Sequence, residues 1–171
     1  MKIFGIGLLR GLGITLKNFI MSYLQPRGMN NRNGLITSQY PEEKLEHPER
    51  FRYFPFLVYD EDPAKPRCTG CNICGQECPP KCMTIVRDKD ENGKTVTFPG
   101  IFDIDVSVCM QCGICQEVCP FDAIYMDHDF EASEYQRQKE LIYDKNKLLK
   151  PASYFTSIRP EDSAASKPRK T

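Results

Sequence analysis

The 171-residue chain has no tryptophan, only two histidines and no net charge, with 23 Lys and Arg set against 23 Asp and Glu. That balance, with a pI near 6.7, excludes a general electrostatic affinity for nucleic acid. Long uncharged apolar runs are missing too. The stretch Met1–Leu24 is mostly apolar but is interrupted by Arg10 and Lys17, whereas a membrane-spanning helix needs roughly 20 consecutive, mostly apolar residues. A cleaved leader is not expected, because Arg10 breaks the apolar region and no small-residue cleavage site follows. There is no Gly-rich dinucleotide loop, no P-loop and no nucleophile paired with a base. The chain alone therefore carries no sign of a catalytic residue or a substrate site. His47 and His128 stand in no ligand spacing with other residues, so packing or surface roles are expected of them. Thirteen prolines and a mean hydropathy of −0.47 indicate much irregular backbone around a modest core.

What the chain has in excess is cysteine, nine in all. Eight fall into two identical frames, Cys68-x2-Cys71-x2-Cys74-x3-Cys78-Pro79 and Cys109-x2-Cys112-x2-Cys115-x3-Cys119-Pro120. This is the spacing of bacterial-type iron–sulfur ligation. Cysteines two residues apart on a tight loop direct three thiolates at one metal cube. The x3 interval is about one helical turn, so the fourth sulfur swings away and completes the other cube. The reading assigns Cys68, Cys71, Cys74 and Cys119 to one [4Fe–4S] cluster, and Cys109, Cys112, Cys115 and Cys78 to a second. A zinc ribbon uses paired C-x2-C hooks without a third close cysteine or a closing Cys-Pro. A disulfide framework belongs to small secreted domains. Both are the weaker alternatives. In so small a fold the clusters double as staples for the core.

The two cysteine runs head an internal repeat. Pro79-Pro80-Lys81-Cys82 followed by Met83-Thr84-Ile85-Val86 corresponds to Pro120-Phe121-Asp122-Ala123 followed by Ile124-Tyr125-Met126-Asp127. Each half reads cluster loop, short helical turn, Cys-Pro, strand. Cys82 falls opposite Ala123 and is expected to be a small buried filler, not a ninth ligand. Thr95–Phe98 is expected to form a strand back along Thr84–Arg87, with Asp90-Glu91-Asn92-Gly93 as the hairpin turn.

Before the repeat, Leu8, Leu9, Leu12, Leu16, Phe19, Ile20 and Tyr23 share one side of a helical projection of Met1–Leu24, with Arg10, Lys17, Asn18 and Ser22 towards the other. This describes an amphipathic helix lying on a membrane surface or against the ends of membrane helices, with glycines that permit close helix contacts. A core helix of a soluble domain is the alternative. Gln25–Gly34 is a Pro-, Gly- and Asn-rich linker. Lys2, Arg10, Lys17, Arg27 and Arg32 face no acidic residue within 1–34, a bias that suits an anionic membrane surface on the cytoplasmic side. Arg50–Tyr59 is aromatic, and the alternation of Phe54, Phe56 and Val58 suggests a strand used for packing. Ala132–Leu149 is expected to be a polar helix covering the cluster domain. The Ser-, Pro- and Lys-rich residues from Pro151 onward are expected to be frayed or docked on a neighbour.

The chain resembles the two-cluster iron–sulfur subunit of respiratory complex I, subunit I of NADH-quinone oxidoreductase. The resemblance is carried by Thr37, Gln39, Tyr40, Pro41, Glu43 and Lys44, by Glu49-Arg50-Phe51-Arg52, and by Ile101–Val106 leading into Cys109. It continues through Cys112-Gly113-x-Cys115-Gln116-Glu117-x-Cys119-Pro120, Asp129-Phe130-Glu131 and Glu140-Leu141-x-Tyr143-Asp144-Lys145-x-Lys147-Leu148-Leu149. It covers roughly residues 35–150, and the loop Asp60–Pro66 departs from it. The resemblance implies an electron relay towards quinone in a proton-translocating NADH-quinone oxidoreductase, without a direct NADH or quinone site in this chain. It implies partners among the peripheral-arm iron–sulfur subunits and the membrane-arm subunits, and a peripheral position on the cytoplasmic side of the bacterial inner membrane. The same module in a membrane-bound hydrogenase or a ferredoxin-fed quinone reductase is the second reading, and a free soluble ferredoxin the third. The expected fold is α+β: a membrane-surface helix and linker over 1–34, an extended docking arm over 35–66, a pseudo-symmetric bacterial-type 2[4Fe–4S] ferredoxin domain over 67–130, and a C-terminal helix and tail over 131–171.

Overall fold

A computed structural model describes residues 5–24, 38–89, 93–135 and 140–166. The expected linker Gln25–Gly34, most of the turn Asp90–Gly93 and the last residues of the tail lie outside the described residues. The chain forms two compact units, Met1–Glu46 and His47–Thr171.

In the first unit, α1 spans Ile6–Leu24 and buries none of its residues. The helix expected from the apolar spacing is there, with Leu8 at 71 % and Leu9 at 70 % exposure. Thr15 and Ser22 return their hydroxyls to the helix's own carbonyls, Leu12 O at 2.9 Å and Phe19 O at 2.7 Å, which removes two polar groups from competition with the apolar side. Among the described residues no helix is long and apolar enough to cross a membrane. A separate turn follows at Gln39–Glu43, closed by Glu43 N–H donating to Gln39 O and Ser38 Oγ donating to Glu43 O.

The second unit is built from two small three-stranded sheets. Strand β1 (Pro55–Tyr59) precedes the first cysteine run, and α2 (Ile73–Glu77) lies within it. A hairpin of β2 (Met83–Lys89) and β3 (Thr95–Asp105) leads to the second run, which contains α3 (Ile114–Glu117) and is followed by β4 (Ile124–Met126). Strand β5 (Ile142–Tyr143), α4 (Lys145–Leu148), β6 (Leu149–Pro151), α5 (Ala152–Ile158) and α6 (Pro160–Ala165) complete the chain. The sheet orders are β4-β1-β6 and β2-β3-β5. Each strand before a cysteine run therefore pairs antiparallel with the strand after the other run: β1 with β4, where Leu57 faces Ile124, and β3 with β2, where Phe102 faces Ile85. This exchange wraps the two halves around one another.

The α+β class and the repeat agree with the sequence reading, and three expectations change. The hairpin partner of Met83–Val86 is Ile101–Ile104, while Thr95 pairs out at Lys89 with register shifts between. The apolar side chains of Ile101–Ile104 gain more by pairing inside, where Phe102 and Ile104 are fully buried, than Thr95–Phe98 would. Strand β1 is the middle strand of its sheet and not part of an arm apart from the domain. Its burial on both faces explains its continuous apolar run. Leu57 joins the core that contains the cysteines, with Phe54 packed at its edge, whereas Phe56 and Val58 face the other way.

The third change is at the C-terminus. In place of a helix over Ala132–Leu149, the described part holds β5 and the four-residue α4, whose start is capped by Asp144 accepting from Lys147 N–H. From Ala152 to Ser166 the chain is packed and not frayed. Phe155 is fully buried against Phe56, Val58 and Tyr125, with the Tyr125 ring at 4.1 Å. Arg159, almost fully buried, donates to Met126 O at 3.0 Å, Phe51 O at 2.8 Å and Asp162 Oδ2 at 2.8 Å. Glu49 Oε1 accepts from the amides of Glu161 and Asp162 at the start of α6. Arg67, also buried, donates to both oxygens of Asp60 and to Ser166 Oγ. Asp127 accepts from Tyr154 Oη at 2.6 Å and from Lys150 Nζ.

Removing a buried aromatic side chain of this kind costs about 3–5 kcal/mol. Phe155→Ala is expected to lower the stability of the cluster-loaded chain by that amount, read as a lower midpoint of urea unfolding followed by circular dichroism. An unchanged midpoint would mean that α5 is not part of the folded core.

Candidate metal centres

The loops that carry the cysteines are bent by left-handed residues. Gly70 (φ 65), Asn72 (φ 66) and Lys81 (φ 53) in the first half recur as Gln111 (φ 55), Gly113 (φ 81) and Asp122 (φ 47) in the second, each at the offset that separates Cys68 from Cys109. Four of these are not glycine, a rare and costly conformation for a side chain-bearing residue. The repetition shows that both loops obey the same constraint. The bend turns successive amides inward, as in anion-binding nests. Gly70 N–H donates to Cys68 Sγ at 3.4 Å, and the amides of Gly75, Gln111 and Gln116 bond to the sulfurs of Cys74, Cys109 and Cys115.

The two halves bring the cysteines together in crossed sets. Cys68, Cys71, Cys74 and Cys119 line one cavity, walled by Leu57, Ile85, Phe102 and Ile124. Cys109, Cys112, Cys115 and Cys78 line a second, walled by Met83, Met110, Ile114 and Met126. Cys68, Cys74, Cys78 and Cys115 are buried and the other four half-buried. No disulfide joins any of the nine cysteines. Cys82 is buried in the second cavity, its sulfur 3.5 Å from that of Cys78. Ala123 lines the first cavity. The histidines lie elsewhere: His47 sits among the rings of Phe51, Tyr53, His128 and Phe130.

The electrostatics of the sulfurs follow from this crowding. Burial, then the neighbouring sulfurs of Cys68, Cys119 and Cys71, push the Cys74 thiol up to about 12. Burial, then Cys74, Cys109 and Cys112, push Cys115 up to about 12 as well. Four such groups cannot all ionise in an apolar wall without a compensating positive charge. Cys109 moves the other way, lowered to about 6 because the Cys82 thiol hydrogen-bonds to it. Cys82 is correspondingly raised, first by that bond. Among the described residues no three His, Cys, Asp or Glu side chains gather at the distances of a single ion's ligands. A four-iron cube spaces its thiolates more widely. All-sulfur donors, apolar walls and inward amides are the environment such a cube requires.

Two arginines brace the loops, and sequence spacing did not single them out. Arg87 Nε donates to Gly70 O at 2.9 Å. Arg52 donates to Cys112 O and to Glu117 Oε1, and its stem lies where a side chain at position 113 would be. Residue 113 is glycine, and a Cβ there would come within 3.2 Å of Arg52. Arg52 stands in the Glu-Arg-Phe-Arg segment noted above, but nothing local indicates that it reaches a loop so distant in sequence. The same holds for Gln116, whose Oε1 accepts from Met126 N–H at 3.2 Å and ties α3 to β4.

The family model of a 4Fe-4S dicluster domain matches residues 67–138. A curated NADH-quinone oxidoreductase subunit I 2 from Geobacter metallireducens is 33 % identical over 142 residues, covering 83 % of this chain and 95 % of that protein. NADH-quinone oxidoreductase subunit I from Pseudomonas fluorescens is 37 % identical over 142 residues, covering 83 % of this chain and 73 % of its own. Among solved structures, a chain of the membrane-bound sulfane sulfur reductase, an archaeal respiratory membrane complex, aligns with a TM-score of 0.46 at 24 % identity, covering 84 % of this chain and 67 % of that one. With identity of this level over 95 % and 73 % of these two relatives, the chain belongs to the NADH-quinone oxidoreductase subunit I family.

Proposed function

We propose that the chain is the electron-relay subunit of a membrane-bound NADH-quinone oxidoreductase. In this reading it passes single electrons towards quinone through two [4Fe–4S] clusters while the complex translocates protons. The observation that carries the reading is the crossed pairing of strands, which puts the fourth cysteine of each run into the cavity of the other. Cys68, Cys71, Cys74 and Cys119 hold one cluster, and Cys109, Cys112, Cys115 and Cys78 the other. Each cube, with all four positions taken by thiolates, exchanges one electron and binds no substrate.

The protein's own part is to hold, dry and tune. Leu57, Phe102, Ile104 and Ile124 share one core with the sulfurs and are essentially inaccessible to water. The inward amides stabilise charge on the sulfurs and so raise the potentials. The Cys115 sulfur lies close enough to that of Cys74 to feel its charge, which supports passage between two neighbouring centres. Arg52 and Arg87 pin the loops that carry the ligands.

The exposed apolar side of α1, with Arg10 and Lys17 on the other side, supports attachment to the membrane surface and to membrane-arm subunits on the cytoplasmic side. A soluble ferredoxin shuttle has no use for such a helix. The peripheral-arm iron–sulfur subunits are the partners that supply and accept electrons, and the NADH and quinone sites belong to other chains.

Purified full chain is expected to carry about eight irons, two four-iron clusters. Cys119→Ala and Cys71→Ala are expected to delete the same electron paramagnetic resonance signal, and Cys112→Ala the other. If Cys119→Ala instead deletes the signal lost in Cys112→Ala, the crossed assignment fails. Deleting residues 1–24 is expected to release the chain from native membranes without loss of iron. Retention on the membrane would overturn the role given to α1. Capture of the tagged chain from detergent-solubilised membranes should bring quinone-reductase and membrane-arm subunits with it. Recovery as a free soluble monomer would mean a ferredoxin.

A further inference from the structure

The two sulfur cavities match in ligand set and loop geometry, and among the side chains in which they differ one is a thiol. Cys82 and Ala123 occupy equivalent places in the repeat. Each follows a left-handed residue, Lys81 or Asp122. Each accepts a backbone hydrogen bond of 2.9 Å from the strand before a cysteine run: Cys82 O from Asp105 N–H, Ala123 O from Val58 N–H. Each is buried, and each lines its own cavity. The backbone thus aims both side chains alike. The first cavity receives a methyl group and the second a thiol.

We infer that the Cys82 thiol is a hydrogen-bond donor to the ligand sulfurs of the cluster held by Cys109, Cys112, Cys115 and Cys78, and that it raises the reduction potential of that cluster alone. The inference rests on the ligand assignment proposed above. The Cys82 sulfur lies 3.5 Å from that of Cys78, within the range of a sulfur hydrogen bond, and it bonds to the Cys109 sulfur as well. Either sulfur of the Cys78–Cys82 pair could donate while both are thiols. Once Cys78 and Cys109 are ligands they have no proton to give, so the donor is Cys82. It is not needed as a ligand, because four other cysteines already line the cavity. A donor at a ligand sulfur withdraws negative charge and favours the reduced, more negative cluster. Ala123 offers the first cluster nothing comparable. One atom thereby makes two centres with the same ligand set unequal, and biases the electron towards the cluster beside Cys82.

The test uses the full chain purified with its clusters, with iron counted and each signal followed through a potentiometric titration by electron paramagnetic resonance. Signals are assigned by the Cys71→Ala and Cys112→Ala variants. Cys82→Ala is expected to keep all its iron, to lower the potential of the signal that Cys112→Ala deletes, and to leave the other unmoved. Cys82→Ser, which keeps a donor at nearly the same place, is expected to lie closer to the unaltered chain than Cys82→Ala does. The reciprocal Ala123→Cys is expected to raise the potential of the other cluster, and carries the test should Cys82→Ala fail to fold. Potentials unchanged in both Cys82→Ala and Ala123→Cys would overturn the inference. So would loss of half the iron in Cys82→Ala, which would make Cys82 a ligand. An unaltered chain that holds fewer than two clusters would overturn the ligand assignment itself.

Discussion

Four sulfurs facing one apolar cavity set the terms for the rest of this fold. Burial and crowding raise the thiols of Cys74 and Cys115, and bringing four sulfurs together as thiolates demands a compensating charge from the group they bind. The chain answers in two ways. Its loops bend through left-handed residues so that amides point at sulfur. Its strands exchange partners so that each sulfur set is completed from the opposite half. Neither half can close a cavity alone, so ligand supply and sheet pairing are one constraint. The modest apolar core, with Leu57, Phe102, Ile104 and Ile124, contains cysteines of both sets and is not separate from them.

How much of this was legible depends on the range of the interaction concerned. The cysteine frames are local and occur twice, so spacing alone pointed to the eight cysteines that line the two cavities, to the repeat, and to the cavity that each fourth cysteine joins. The amphipathic α1 was legible for the same reason, since its periodicity is carried within nineteen residues. The hairpin register was misread because Thr95–Phe98 is the nearer β-prone segment. The decision was made instead by Phe102 and Ile104, whose burial depends on what lies across the sheet. The C-terminal segment was misread more deeply. Its composition is that of a tail, and three of the groups that fix it, Phe155, Arg159 and Asp162, each act on partners far away in sequence: Tyr125, Phe51 and Met126, and Glu49. Composition records none of this.

Burial of a charge is costly unless its donors are used, and the two buried arginines use theirs. Arg159 spends its donors on two carbonyls and one carboxylate, and those carbonyls belong to Phe51, before β1, and to Met126, at the end of β4. It thus ties the segment before β1 to the end of β4 that pairs with Pro55. Arg67 acts one residue before the first ligand cysteine, held by Asp60 just after β1. Both arginines sit where a polar clamp fixes the chain ends of the strands that wall a cluster cavity.

Strand β1 joins these two layers. Its Leu57 looks towards the sulfurs, and its Phe56 and Val58 look towards α5. Anything that loosens the C-terminal packing therefore acts on the wall of the first cavity through a single strand, two side chains removed from the cysteines. For a relay this coupling is useful. Potentials set by amide and thiol hydrogen bonds to sulfur hold only while distances hold, and water entering the cavity would change the dielectric around each cluster. The second cavity is walled differently. It relies on Met83, Met110 and Met126 and on the Arg52 brace across Gly113, with Cys82 beside the ligands. The repeat supplies two matched ligand sets, and the parts of the chain outside the repeat make their surroundings different. A relay needs both: equal ligation so that either cluster can hold one electron, and unequal surroundings so that the electron has a preferred side.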